Sequence, residues 1–115
     1  MAQLINKSKN QTIAKELKVA DNFVSRAQGL IGTKELNDTQ AIWFPKSNWI
    51  HTCFMSIPID VIYLDKEMIV TKLQPNLKPW RFPAPVFKAQ SVVEAQVNFI
   101  DQHQIEIGDA FHVGD

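Results

Sequence analysis

"IDVIYLDKEMIVTKL" (residues 59–73) is the stretch on which the fold turns. Two runs rich in aliphatic and β-branched residues are separated by Asp65, Lys66 and Glu67, the pattern of a β-hairpin. Both faces of each run are largely apolar, so these strands belong at the centre of a sheet or in the wall of a barrel.

Working upstream, "AIWF" (41–44) and "WIHTCFM" (49–55) read as two more strands joined by the turn-like "PKSN". The second would then pair with 59–65. "QTIAKELKVA" (11–20) alternates, with Ile13, Leu17 and Val19 on one face and Thr12, Glu16 and Lys18 on the other. Period two over this length predicts an antiparallel strand with one wet side, and "QLI" before it is a hairpin partner. Between these strands "DNFVSRAQGLIG" (21–32) changes period. Asp21 is placed as a cap, and Phe23, Ala27, Leu30 and Ile31 fall at helical spacing, predicting a helix over about 22–31. Arg26 lies along the edge of that apolar stripe.

Downstream, "QSVVEAQV" (90–97) predicts a strand, "NFIDQH" (98–103) a short helical turn capped by Asn98, and "IEIGDAFHV" (105–113) a strand pair bent at Gly108-Asp109. "PNLKPWRFPAP" (75–85) carries too many prolines for a sheet interior and reads as a loop bearing Trp80, Arg81 and Phe82. The expected fold class is α+β, mainly β. It comprises a strongly bent antiparallel sheet or small barrel, one packed helix and a second short helical turn, in one domain over 1–115.

Composition narrows the function classes. The 115 residues are 45% hydrophobic and 21% charged, ordinary for a globular domain, and twelve basic residues balance twelve acidic ones. That balance gives no reason to expect nucleic acid as a partner. No stretch has the roughly 18 apolar residues of a membrane span, and the start "MAQLINKSKN" has no apolar leader, so the chain as given reads as cytoplasmic.

"SRAQGLIG", "FPKSNWIHTCFMSIPIDVIYLD", "VTKLQPNLKPWR", "SVVEA" and "IGDAF", in this order and spacing, resemble the domain-of-unknown-function family 192 over about Ser25–Val113. The family's recurring positions fall here on Arg26, Gly29, Leu30, His51, Thr52, Met55, Pro58, Asp60, Glu94, Gly108 and Asp109. The resemblance implies a compact β-rich fold and no established activity. It also implies relatives with export signals or lipid anchors, from which this sequence departs. Cys53 is a second departure.

Three chemistries compete at "NWIHTCFMSIPID" (48–60). In a strand, His51, Cys53 and Met55 would share a face, a ligand set suited to copper(I). At about 3.3 Å per residue His51 and Met55 stand roughly 13 Å apart, too far for one ion, so no metal or cofactor is expected. A Cys53–His51 nucleophile lacks a helix N-terminus to activate the thiol. The third chemistry is a polar cluster. Asp60 and Glu94 sit among aliphatics and cannot be buried alone, so Arg26 and His51 are their natural partners. The sequence therefore predicts a non-catalytic binding module. It would use Arg26, His51, Asp60 and Glu94, roofed by Trp80 and Arg81, for a small polar ligand or a peptide. The alternatives are a hydrolase pairing His51 with Asp60 or Glu94, and a scaffold whose polar network only stabilises the fold.

Overall fold

The structure, a computed structural model, describes residues 2–20, 36–50 and 57–115. The expected helix at 22–31, Arg26, and residues 51–55 with His51, Cys53 and Met55 lie outside the described residues.

Seven strands form one sheet: β1 (Ala2–Asn6), β2 (Gln11–Val19), β3 (Gln40–Phe44), β4 (Ile59–Leu64), β5 (Val70–Leu77), β6 (Ser91–Gln96) and β7 (Phe111–Gly114). A single turn of helix, α1 (Phe99–Gln102), follows β6. The strand order is β5-β4-β6-β3-β2-β1-β7. Every pairing is antiparallel except β2 with β3. The sheet curls into a half-barrel whose ends meet at the bridge between Ile69 and Ala110.

The curl has a local cause. Pairing between β1 and β2 slips between Leu4 and Ile5 and again between Ala2 and Leu4, so β2 carries extra residues against its partner. Bulges of this kind bend and twist a strand. They also explain why both Ile13 and Ala14 are buried where strict alternation would bury only one.

Two apolar layers result. The first draws Leu4, Leu17, Ala41, Ile62, Val70, Val93 and Phe111 from all seven strands, with Phe99 of α1, and is therefore the inside of the curl. The second is built on Ile42, Phe44, Val61, Tyr63 and Val92 of β3, β4 and β6, and covers the other face. The β4–β5 hairpin is as expected, with Asp65 Oδ1 accepting from the Glu67 and Ile69 amides across the turn.

Several expectations fail for identifiable reasons. β4 pairs with β5 on one edge and β6 on the other over its whole length, leaving no edge for a 49–55 partner. Trp49 and Ile50 accordingly lie outside any strand. The proline-rich loop begins only after Leu77, because β5 is an edge strand and tolerates Pro75 at a bulge. Residues 105–109 lie outside any strand, and Gly108 supplies the φ of +98° in the turn that the Asp109 amide closes on the Glu106 carbonyl. Asn98 precedes α1 in a left-handed conformation, and its side chain caps nothing.

Asp109 fastens that turn. Its Oδ2 accepts from Asn6 Nδ2, Lys9 Nζ and the Glu106 amide at 2.9 to 3.0 Å. Burial alone would push its carboxyl up, but these donors together hold it below the ordinary range. Lys9 reaches the Gln104 carbonyl and Glu106 as well, pinning the β1–β2 turn to the segment before β7.

Asp60 has a comparable role inside the curl. It is 1% exposed; Oδ1 accepts from the Asn76 amide in the β5 bulge and Oδ2 from the Ile100 amide of α1, each at 2.9 Å. One carboxylate thus ties an edge-strand bulge to the helix. Asp60→Ala strands two backbone donors and is expected to cost about 3 kcal/mol of unfolding free energy, with Asp60→Asn intermediate. Urea denaturation measures both; a loss below about 0.5 kcal/mol for the alanine variant would contradict this role.

Candidate functional site

Residues paired across a sheet point to the same side, and chain neighbours point to opposite sides. Glu94 on β6 pairs with Ile42 of β3 and Val61 of β4, which places it on the outer-layer face. Asp60 pairs with Ala95, on the inner face. The two carboxyls that sequence reasoning grouped together are therefore separated by the sheet. Both oxygens of Asp60 are already engaged with backbone N–H groups on the inner side.

Glu94 occupies the middle of its face, 4% exposed, with Tyr63 two residue pairs along on the same face. Burial pushes the Glu94 carboxyl up to about 8, so near neutral pH it is largely protonated. Burial also raises the Tyr63 hydroxyl, and the Glu94 charge adds to the effect.

What covers this face follows from the topology. β5 and β6 flank β4 and run parallel to each other; β3 and β4 likewise flank β6; β2 and β3 pair directly in parallel. Parallel strands need crossover connections, here 78–90, 45–58 and 20–39. The described residues of all three pack into the outer layer: Val86 and Ala89 from the first, Ile50 and Ile57 from the second, Ala20 and Leu36 from the third. Hence the face that carries Glu94 is covered by described residues of all three connections.

Two of those loops are laced together. The Trp49 indole N–H donates to the Pro83 carbonyl at 2.7 Å, the Val86 amide to the Asn48 carbonyl and the Ser47 amide to the Gln90 carbonyl. Between them opens a shallow cleft of about 500 Å³ lined by Lys46, Ser47, Asn48, Trp49, Ala89 and Gln90. Trp80, 56% exposed and at φ 62°, and the exposed Arg81 stand on the same crossover. Sequence reasoning had placed Trp80 and Arg81 near the site but missed Lys46, Asn48 and Gln90. The "PKSN" stretch reads as a tight turn when taken alone, and only the crossover topology turns it into a cleft wall.

The Glu94 proton has a thermodynamic consequence. The folded carboxyl keeps its proton up to about pH 8, whereas in the unfolded chain it is lost near the ordinary 4.5. Folded protein therefore binds more protons across that window, and Glu94 makes stability fall as pH rises through it and level off above. Glu94→Gln should remove this contribution and exceed the parent in stability by a few kcal/mol, in order of magnitude, on the alkaline side of the window. Urea denaturation of both proteins from pH 5 to 9 checks it; parallel pH profiles would refute the buried, protonated state.

The sequence pattern of the DUF192 family, described as Uncharacterized ACR, matches residues 4–113. A UPF0127 protein of Thermococcus sibiricus is 37% identical over 110 residues, spanning 92% of this chain and 71% of the relative. A UPF0127 protein of Pyrococcus abyssi is 35% identical over 115 residues and 95% of each chain. Two crystal structures share the fold. One is a protein of unknown function from Novosphingobium aromaticivorans (TM-score 0.81, 20% identity, 96% of this chain and 82% of that one). The other is a Sinorhizobium meliloti protein described as a candidate transcription regulator (TM-score 0.82, 15% identity, 97% and 91%). At these identities the likeness is one of fold. The family match takes in β1 and β2 as well as the motifs further along, and by it the chain belongs to the uncharacterised DUF192 family.

Proposed function

We propose that this chain is a non-catalytic binding module. Its site lies on the Glu94 face and opens through the cleft between the 45–58 and 78–90 crossovers. The observation that carries the reading is a carboxyl kept buried and largely protonated in the middle of a sheet, on a face covered by Ile50, Ile57, Val86 and Ala89 of the crossovers that also form the cleft. A protonated carboxyl both donates and accepts a hydrogen bond, and large aromatics beside a few polar groups are the usual lining of ligand sites. Arg26 and His51 belong to the 20–39 and 45–58 crossovers, whose described residues pack on this face, and they complete the proposed site with Trp80 and Arg81. Asp60 is left out because it serves the other side of the sheet.

The expected ligand is a small polar molecule or a short peptide whose polar end meets Glu94 and whose flank lies along Trp49 or Trp80. Titrating acetate, inorganic phosphate, glucose and a trialanine peptide into isotope-labelled protein should shift amides of Lys46–Ile50, Trp80–Arg81 and Ala89–Glu94 with at least one of them. Shifts that never gather there would overturn the reading.

A second reading draws on the same carboxyl. An acid titrating near neutrality is suited to proton transfer, so Glu94 with His51 is a possible acid/base pair of a hydrolase. Hydrolysis of activated esters that is abolished by Glu94→Gln, with binding retained, would favour it over the module.

A further inference from the structure

The two walls of the cleft are bonded to each other and to the sheet. The Ser47 amide donates to the Gln90 carbonyl and the Val86 amide to the Asn48 carbonyl, each at 3.0 Å. The Gln90 amide donates to the Leu64 carbonyl at the end of β4, at 2.7 Å. Within the first wall the Ser47 hydroxyl donates to the Trp49 carbonyl at 2.8 Å. These bonds consume backbone groups and the serine hydroxyl, and they fix the spacing of the walls. The Lys46 ammonium and the side-chain amides of Asn48 and Gln90 take no part in them, and all three residues line the cleft. A ligand in the cleft is therefore read by these three groups.

Their chemistry is one-sided. One ammonium and two primary amides offer a positive charge and a surplus of N–H donors over acceptors. No carboxylate is among the described residues that line the cleft. The stretches that contain its walls, 39–59 and 68–93, hold no Asp or Glu at all. Asp65 follows the Leu64 carbonyl that anchors Gln90, but its Oδ1 is turned to the Glu67 and Ile69 amides of its own hairpin. Glu94, on the face that these crossovers cover, is largely protonated near neutral pH and adds little negative charge.

We propose that the cleft binds a carboxylate, held by the Lys46 ammonium and the Asn48 and Gln90 side-chain amides, with the attached carbon chain against Ala89. This rests on the binding-module reading and gives its ligand a charge. A carboxylate carries one negative charge and about four lone-pair sites, a demand that one ammonium and two amides can meet. A phosphate brings more charge and a third oxygen, and calls for more cations than the cleft supplies. A neutral sugar or amide can use the two amides but gains nothing from Lys46. Walls already fixed by hydrogen bonds lower the ordering lost on binding. A free small acid and the C-terminus of a peptide offer the same group, and the two are separated by the choice of probe.

Amide shifts of the isotope-labelled full chain test the proposal, near neutral pH and at matched ionic strength. The probes are propanoate, propanamide, N-acetyl-trialanine and the C-terminal amide of that peptide, with inorganic phosphate and glucose alongside. Amides of Lys46–Ile50 and Ala89–Gln90 are expected to report an acid binding about fivefold more tightly than its own amide. Success with propanoate marks a free acid as sufficient; success with the peptide acid alone marks a C-terminus. Lys46, exposed on the cleft wall, can be replaced without disturbing the core. Lys46→Gln should erase the difference between acid and amide, and Lys72→Gln, on β5, should preserve it. Equal binding of acid and amide overturns the carboxylate and leaves the binding module standing. So does a difference that survives Lys46→Gln, phosphate binding more tightly than either acid, or cleft shifts with glucose alone. Cleft shifts with none of the probes overturn both readings.

Discussion

Because β2 and β3, β3 and β4, and β5 and β6 each run parallel, each of the three crossover connections has to leave the plane of the sheet. Their described residues pack on the same side. The inner face is already filled by residues from all seven strands and by Phe99 of α1, a layer closed by the curl and by the Ile69–Ala110 bridge. Only the outer face over β3, β6 and β4 is open to a covering, and the connections supply it. Glu94 projects into the middle of that covering. Its raised carboxyl is thus a consequence of topology, set by where the loops must cross.

The buried acids divide the work of the molecule. Asp60 and Asp109 are each satisfied by two or three donors, and each joins elements far apart in sequence: a bulge in β5 to α1, and the β1–β2 turn to the loop before β7. These are the terms on which a buried carboxylate is stable. Glu94 is handled differently: burial is the cause of its shift, and the proton is retained. Two buried acids are thus held by donors, and the third is held in its neutral form.

Much of the architecture was legible in the sequence because short-range chemistry specifies it. The Asp65–Glu67 turn, the all-apolar "IDVIYL" and the "SVVEA" run each carry their own signal, and each became the expected strand or hairpin. The partner of "WIHTCFM" did not carry one. An apolar run is compatible with a ladder as well as with a segment outside one, and here both β4 edges are taken by β5 and β6 while Trp49 and Ile50 lie outside any strand. The grouping of Asp60 with Glu94 failed for a related reason. Which face a residue takes depends on its pairing register, and no local feature of "IPIDV" or "VVEAQ" announces that register. The inference that ionisable groups among apolar neighbours must find partners held for Asp60, but the partners were backbone amides.

The account stands on the claim that the crossovers bring their polar residues over Glu94. Proton nuclear Overhauser contacts from the His51 ring test it most directly. The topology predicts contacts to the side chains of Glu94, Val92 or Tyr63 on the outer face. Contacts instead to Phe99 or Phe111, in the interior of the curl, would contradict it.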